Sequence, residues 1–247
     1  MVRVIDFWID CGVDGFRLDA VPFLIKREGT SCVHLPETHN ILKNIRKHID
    51  SSHKGIVLLA EANGAIDQVK AYFGNGDECH LAFNFYLMPK MFLALHRGDK
   101  AIAEEAAKET LGVPKGSEWV TFLRSHDDLP LSNVEAEERS ELLEAFNNEE
   151  IFGFKGNHGI AKRLATLFKG DVNKVVEAFE LLFSLPGSPV IYYGDEIGLK
   201  NISFEEPLRD SRRYLRGEFD WGEARKQIAE ENSLLNRVIK IVKSKET

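Results

Sequence analysis

The feature of this sequence that most constrains its fold is an alternation of short apolar runs with amphipathic helical patterns. The runs have the length of a strand and are rich in β-branched, aromatic or leucine residues. They occupy residues 15–21, 56–62, 79–87, 119–124 and 189–193. A helical pattern precedes the first run, and others separate the later ones. This order predicts an α/β fold made of parallel βα units.

The helical patterns are recognised by apolar residues that recur on one face. In residues 40–51, for example, Ile41, Leu42, Ile45 and Ile49 share a face. Similar patterns predict helices at residues 2–11, 88–107, 142–146, 161–168, 172–185 and 233–244. We predict a single domain over residues 1–247, with a long loop or insert at about 130–159.

Composition and charge exclude several classes of protein. The chain has 32 basic and 39 acidic residues, a net charge of −7, and no basic patch that would bind nucleic acid. No apolar run approaches the roughly 20 residues that a membrane helix needs, and no signal segment is apparent. The three cysteines, Cys11, Cys32 and Cys79, do not form a disulfide pattern. We therefore expect a cytoplasmic protein with neither a nucleic-acid nor a membrane partner.

Charged residues lie at the ends of the predicted strands. Arg17 and Asp19 are two positions apart, so they face the same side of an extended strand. A guanidinium beside a carboxylate keeps that carboxylate ionised, as a nucleophile must be. A buried structural ion pair would explain the same spacing.

Two later strands also end in candidate groups. Glu61 is a lone carboxylate in an apolar run, and burial without a cation would raise its pKa, as suits a general acid. A glutamate that simply faces water is the alternative. His126 and Asp127 follow the fourth run and could bind hydroxyl groups of a substrate, but they could equally be structural or part of a metal site. Asp128 is adjacent, and the spacing does not say which aspartate points inward.

Acidic groups at the carboxyl ends of successive strands are typical of a (β/α)8 barrel active site. A doubly wound sheet fits the alternation too, but it usually carries a glycine-rich phosphate turn, which is absent from this sequence. Two carboxylates in distinct surroundings match glycoside hydrolysis, in which a retaining enzyme holds them about 5–5.5 Å apart. A lyase or aldolase would need a lysine in a strand, and the predicted strands contain none.

Three segments resemble sequence blocks of the α-amylase superfamily, glycoside hydrolase family 13. They are DGFRLDAV at 14–21, LLAEAN at 58–63 and FLRSHDD at 122–128. The resemblance implies that Asp19 is the nucleophile, Glu61 the general acid/base and Asp127 the carboxylate that stabilises the transition state. It also implies that Arg17 and His126 contact the sugar ring.

The flanking segments resemble the trehalose synthase group of that superfamily. They include REGT at 27–30, LPETH at 35–39 and SLPGSPVIYYGDEIG at 184–198. This resemblance implies an α-linked glucose disaccharide or oligosaccharide as substrate, and isomerisation of maltose and trehalose through a covalent glucosyl-aspartate. An α-glucosidase or α-amylase hydrolase is the close alternative, and a non-catalytic truncated scaffold is the alternative of another class.

The sequence departs from the family pattern in two ways. Ser125 stands where the family usually has asparagine.

The second departure is in length. By resemblance the chain is a partial (β/α)8 TIM barrel with roughly strands 4 to 8, lacking the first three strands and the C-terminal β-sandwich. Five strands cannot close the barrel, so we expect a fragment with reduced or no activity alone, completed by a separate chain carrying the N-terminal half. We expect no cofactor and no metal site in this chain, although the complete family fold can bind calcium.

Overall fold

The computed structural model describes residues 1–147, 152–154 and 158–245. The chain forms two compact units. The first contains residues Met1–Asn84 and Thr110–Val120, and the second contains Phe85–Glu109 and Thr121–Thr247. Strand β4 (Glu118–Phe122) runs from the first unit into the second.

The first unit alternates helices and strands, as the sequence predicts. Its elements are α1 (Val2–Asp10), β1 (Gly15–Leu18), α2 (Pro36–Ser52), β2 (Val57–Ala60), α3 (Ile66–Lys70), β3 (Leu81–Phe83) and the first residues of β4. The strands pair in parallel in the order β1-β2-β3-β4. The prediction of parallel βα units is therefore confirmed, and β1 is at one edge of the sheet that the described residues form.

Helix α2 shows why this unit is stable. Pro36 occupies the first turn, where its missing N–H has no intrahelical partner to lose. Leu42, Ile45 and Ile49 recur at helical spacing and are buried in the core, as predicted, beside Leu58 of β2. Burial of each such side chain contributes about 1.5–3 kcal/mol.

The second unit is mainly helical. Its helices are α4 (Leu87–Arg97), α5 (Ala101–Glu109), α6 (Ala136–Phe146), α7 (Leu164–Leu167), α8 (Val172–Ser184), α9 (Trp221–Ala229) and α10 (Leu234–Lys245). The prediction of one helix over 88–107 is wrong, because Gly98 adopts a left-handed conformation (φ 67°) that ends α4 before α5 begins. Helix α9 was not predicted.

The segment expected to be a loop or insert, at about 130–159, contains regular structure. Helix α6 lies within it, with Leu142 and Phe146 buried. Short strands β5 (Leu129–Pro130), β6 (Gly153–Phe154) and β7 (Gly159–Ile160) form an antiparallel sheet in the order β5-β7-β6. Residues 148–151 and 155–157 of this segment lie outside the described residues.

The second unit also supplies a strand to the larger sheet and has a side-chain cap on helix α8. Strand β8 (Ser188–Val190) is the neighbour of β4 in the strand order. Helix α8 begins at Asp171, whose carboxylate accepts hydrogen bonds from the N–H groups of Asn173 and Lys174 and so caps the helix. Within the described ranges, no helix is both long and apolar enough to cross a membrane.

Candidate active site

The first part of the candidate site lies where β1 and β2 end. The two strands pair with Leu18 opposite Ala60, and Asp19 and Glu61 follow directly. The backbone pairing continues past the strands, since the N–H of Glu61 donates to the Leu18 carbonyl at 3.1 Å. This register brings together two carboxylates that are 42 positions apart in the chain.

A single guanidinium holds both carboxylates. Arg17 Nη1 lies 2.7 Å from Asp19 Oδ1, and Arg17 Nη2 lies 3.1 Å from Glu61 Oε2. The first contact agrees with the spacing of Arg17 and Asp19 in the sequence. The second corrects the expectation that Glu61 has no cation beside it, because parallel pairing of β1 with β2 brings Arg17 within reach.

The two carboxylates nevertheless differ in environment. The side chain of Asp19 is 76% exposed and that of Glu61 only 22% exposed. Burial raises the pKa of Glu61 above its usual value, and the N–H of Ala20 and the Arg17 guanidinium partly oppose that rise. An accessible carboxylate beside a protonatable one is the combination that suits a nucleophile and a general acid.

The turn after Asp19 has an unusual backbone. Ala20 adopts a left-handed conformation (φ 46°, ψ 37°), which costs a non-glycine residue about 1–2 kcal/mol. Its N–H donates to Glu61 Oε2 at 2.7 Å. Such strained residues cluster at active sites, where the surrounding structure holds them in place.

A separate group of candidate residues follows β4 and belongs to the second unit. Asp127 Oδ1 lies 2.7 Å from Arg216 Nη2 and 3.5 Å from Arg212 Nη1. His126 Nε2 lies 3.7 Å from the same oxygen, and Arg216 Nε donates to the His126 carbonyl at 3.0 Å. Arg212 is also fixed by Asp210, at 2.8 Å. Asp127 is therefore surrounded by positive charge.

The structure distinguishes the two neighbouring aspartates. Both side chains are half-buried, and burial raises the pKa of Asp128 despite the nearby Arg124. Asp128 packs so closely against Gly159 that a Cβ there would lie 1.8 Å from its Oδ2. Asp127 instead contacts the guanidinium groups of Arg212 and Arg216.

No sequence pattern predicts a role for the arginines of the second unit. Arg212 and Arg216 belong to the basic cluster at 209–216, which is visible in the sequence but carries no spacing that links it to Asp127. Arg124 is buried and donates from Nη2 to the carbonyls of Asp127 and Ile160, each at 3.2 Å. It therefore fixes the backbone at Asp127.

Arg163 is the centre of a second buried network. Its side chain is fully buried and donates to the carbonyls of Leu215 and Tyr193, each at 2.8 Å. Its Nη1 lies 3.2 Å from Asp195 Oδ1, and its guanidinium stacks on the ring of Tyr192 at 4.5 Å. Burial raises the pKa of Asp195 to about 7. These contacts tie the segment after β8 to α7.

The cluster of potential metal-ligating side chains in the described residues does not fit calcium. Calcium is bound by six to eight oxygen atoms, mostly from carboxylates and carbonyls. Within residues 1–147, 152–154 and 158–245, the cluster of three or more potential metal ligands is Asp6, His48 and His53. Its two imidazoles do not suit calcium, so no step of the chemistry below involves that ion.

Comparison with protein families identifies relatives of this chain. A profile described as "Alpha amylase, catalytic domain" matches residues 1–234. The chain is 49% identical over 206 residues to a trehalose synthase/amylase of Mycolicibacterium smegmatis, covering 82% of this chain and 34% of that protein. It is 43% identical over 224 residues to a trehalose synthase of Thermus thermophilus, covering 90% of this chain and 23% of that protein. The chain thus spans about a third or less of the length of these relatives.

Solved structures with a similar fold extend the comparison. A sucrose 6F-phosphate phosphorylase from Thermoanaerobacter thermosaccharolyticum superposes with a TM-score of 0.79 at 21% identity, over 99% of this chain and 51% of that one. An α-amylase from H. orenii gives a TM-score of 0.67 at 21% identity, over 99% of this chain and 46% of that one. At this level of identity, the likeness concerns the fold alone.

Proposed function

The chain belongs to the alpha-amylase catalytic-domain family, and from this premise we propose that it transfers a glucosyl group with retention, converting maltose and trehalose into each other. Asp19 serves as the nucleophile and Glu61 as the general acid/base. Asp127 stabilises the positive charge of the transition state, and Arg17 and His126 bind the sugar. The reaction uses only side chains and needs no cofactor.

The proposed reaction has two steps. A carboxylate oxygen of Asp19 attacks the anomeric carbon of maltose while the glycosidic bond breaks and Glu61 gives its proton to the departing oxygen. The retained glucose then turns, and its anomeric hydroxyl attacks the glucosyl-Asp19 ester. Glu61 takes the proton of that hydroxyl and Asp19 leaves as a carboxylate, so trehalose forms and the enzyme is restored.

The observation that carries this proposal is the contact of Arg17 with both Asp19 and Glu61. One guanidinium can reach both only if the two carboxylates lie on the same side of adjacent strand ends, where a sugar could meet them together. Their unequal burial supports Glu61 as the general acid and Asp19 as the nucleophile, because the pKa of Glu61 is raised and Asp19 is freely accessible.

Hydrolysis is the second candidate, and the name of the mycolicibacterial relative, trehalose synthase/amylase, supports it. In that case water attacks the glucosyl ester in place of the retained glucose. The outcome depends on how well the pocket excludes water and holds the leaving glucose. A non-catalytic scaffold is the remaining candidate, and it requires that no product form.

We further propose that the strands which complete the barrel come from outside these 247 residues, with β1 to β4 and β8 corresponding roughly to strands 4 to 8. Among the strands of the described residues, β1 pairs with β2 on one side only. Val4, Phe7 and Trp8 on α1 are exposed apolar residues, as expected for a surface that packs on further structure. A separate chain with the N-terminal half is the partner proposed here. The cytoplasmic location stays a prediction.

The test is an assay of the purified chain with maltose that measures trehalose and glucose separately. We expect trehalose to form at no more than a reduced rate, because the barrel is incomplete, and to be lost in Asp19→Asn but not in the control Asp10→Asn at the end of α1. Glucose alone would favour hydrolysis. Products that persist in Asp19→Asn would contradict the proposed nucleophile, and the absence of any product would contradict activity of the chain alone.

The covalent intermediate needs a second measurement. An activated glucosyl donor whose ester turns over slowly should add one glucosyl mass to the chain, and peptide mapping should place it on residues that include Asp19. We expect no adduct in Asp19→Asn. An adduct on a different residue would overturn the assignment even if trehalose forms.

A further inference from the structure

Three potential metal ligands of the first unit meet outside the carboxylate site. Asp6 lies within α1, His48 lies in the last turns of α2, and His53 is the residue at which α2 ends. The proposed glucosyl transfer uses none of them. Their ligand atoms all lie within 4.8 Å of one another.

The two histidines point at the same oxygen. His48 Nε2 lies 2.7 Å from Asp6 Oδ1, and His53 Nε2 lies 3.3 Å from it. The two positions are five apart, so a regular helix would not bring them to one point. His53 reaches it because its backbone is extended (φ −137°, ψ 156°) and turns its ring back towards Asp6.

The cluster is accessible without being fully solvated. The exposed fractions of the three side chains lie between 20% and 34%. An ion could therefore enter from solvent, while the helices limit the movement of its ligands. Asp6 belongs to α1, next to the buried Ile5, and His48 is next to the buried Ile49, so both ligand-bearing backbones are anchored in the core.

We propose that Asp6, His48 and His53 bind one divalent transition-metal ion of the Zn²⁺ class. Two imidazole nitrogens and one carboxylate oxygen form a donor set that Zn²⁺ and Co²⁺ accept, and water would fill the fourth position. Tetrahedral bonds of about 2 Å separate neighbouring ligand atoms by about 3.3 Å. The distance from His53 to Asp6 already has this value, and a small rotation of His48 would open the other.

The proposed ion would join the two helices that flank β1 in the chain. Helix α1 leads into β1 and α2 follows it, and Arg17 belongs to that strand. Metal binding is therefore expected to stabilise the part of the first unit that carries Arg17 and Asp19. Without metal, the same three residues form a hydrogen-bonded cluster. Stabilisation by metal is therefore the property that distinguishes a metal site from a cluster held only by hydrogen bonds.

The test uses the untagged chain and Co²⁺ as the spectroscopic probe. We expect one Co²⁺ per chain, with visible absorption bands of tetrahedral strength that Zn²⁺ removes. His48→Gln and His53→Gln should each weaken Zn²⁺ binding by at least about tenfold, measured by competition with a coloured chelator. The matched control is His96→Gln on α4, whose imidazole contacts a single carboxylate, and it should bind like the parent chain.

Thermal melts provide the second measurement. Zn²⁺ should raise the Tm of the parent chain and of His96→Gln, and should leave His48→Gln and His53→Gln unchanged. Melts without metal identify any variant that fails to fold, and Asp6→Asn then replaces it because asparagine preserves the shape of aspartate. Absence of a Co²⁺ spectrum in the parent chain, or an equal spectrum in all ligand variants, would overturn the proposal.

Discussion

Arg17 and Arg163 both contact carboxylates, but they lie in different units and in opposite environments. Arg17 is partly exposed and divides its guanidinium between Asp19 and Glu61. Arg163 is fully buried and donates from Nε and Nη1 to two backbone carbonyls, with Asp195 as the ionic partner. Exposure leaves the partners of Arg17 free to meet a ligand, whereas burial makes Arg163 part of the core.

The difference in burial predicts that the two clusters contribute differently to folding stability. An exposed ion pair contributes about 0–1 kcal/mol, so the Arg17 cluster gives little to folding and can be altered without unfolding the protein. Removing one partner of a buried pair costs about 3–5 kcal/mol, because a buried charge then stays uncompensated. Substitutions in the Arg17 cluster should therefore lower activity, whereas substitutions in the Arg163 cluster should lower the free energy of unfolding.

The largest expected effect on activity is that of Glu61→Gln. An amide cannot give a proton to the departing oxygen, so kcat/KM for maltose should fall by about 10²–10⁴-fold with little change in Tm. A glucosyl donor whose leaving group needs no proton should recover much of the first step. Equal losses with both substrates would argue against Glu61 as the general acid.

Arg163→Met should have the largest effect on stability. The change leaves Asp195 buried without its cation, and we expect the free energy of unfolding to fall by about 3–5 kcal/mol in denaturant titrations at pH 8. The control is Arg97→Met, whose half-exposed pair with Glu141 at 2.6 Å should be worth about 1 kcal/mol or less. Similar losses of unfolding free energy in both variants would contradict the expectation that the buried pair contributes more to stability than the half-exposed pair.

A smaller effect is expected at Asp127. Arg216→Gln removes the 2.7 Å contact and the bond to the His126 carbonyl, and kcat/KM should fall roughly fivefold, which corresponds to about 1 kcal/mol. Arg212→Gln should cost less, because its contact with Asp127 is 3.5 Å and it is also bound by Asp210. The reverse order would mean that Arg212 is the main partner of Asp127.

The smallest effect concerns pH. The Arg17 guanidinium favours the ionised form of Glu61, so Arg17→Gln should raise the pKa of Glu61 further. The general acid then keeps its proton to higher pH, and the alkaline limb of the kcat/KM profile should move upward. Arg46→Gln, whose guanidinium pairs with Asp50 on α2, should leave the limb in place. A downward shift would contradict the contact seen between Arg17 and Glu61.

The sequence predicts the positions of strands in this protein better than it predicts contacts between residues that are distant in the chain. The strand-length runs around Arg17 and Glu61 correspond to β1 and β2, because apolar composition and length are local properties. The contact of Arg17 with Glu61 depends on the register of two parallel strands, which no local pattern contains. The same applies to Asp127 and Arg216, which are 89 positions apart.

Helix boundaries show a similar limit. The pattern over residues 88–107 continues through Gly98, so periodicity alone does not indicate the left-handed turn there. Helix α9 carries exposed apolar residues such as Trp221 and Ile228, so it lacks the clear apolar face that identifies α2. The cluster of Asp6, His48 and His53 was also missed, because two helices supply it and one ligand lies where a helix ends.

The strained turn at Ala20 makes the protonation of Glu61 visible to spectroscopy. The Ala20 amide proton points at Glu61 Oε2 over 2.7 Å, so its NMR frequency depends on the charge of that oxygen. A charged carboxylate draws the signal downfield, and protonation lets it return upfield. Titration of this one amide would follow the general acid directly in the resting protein, with no substrate and no label on the reacting groups.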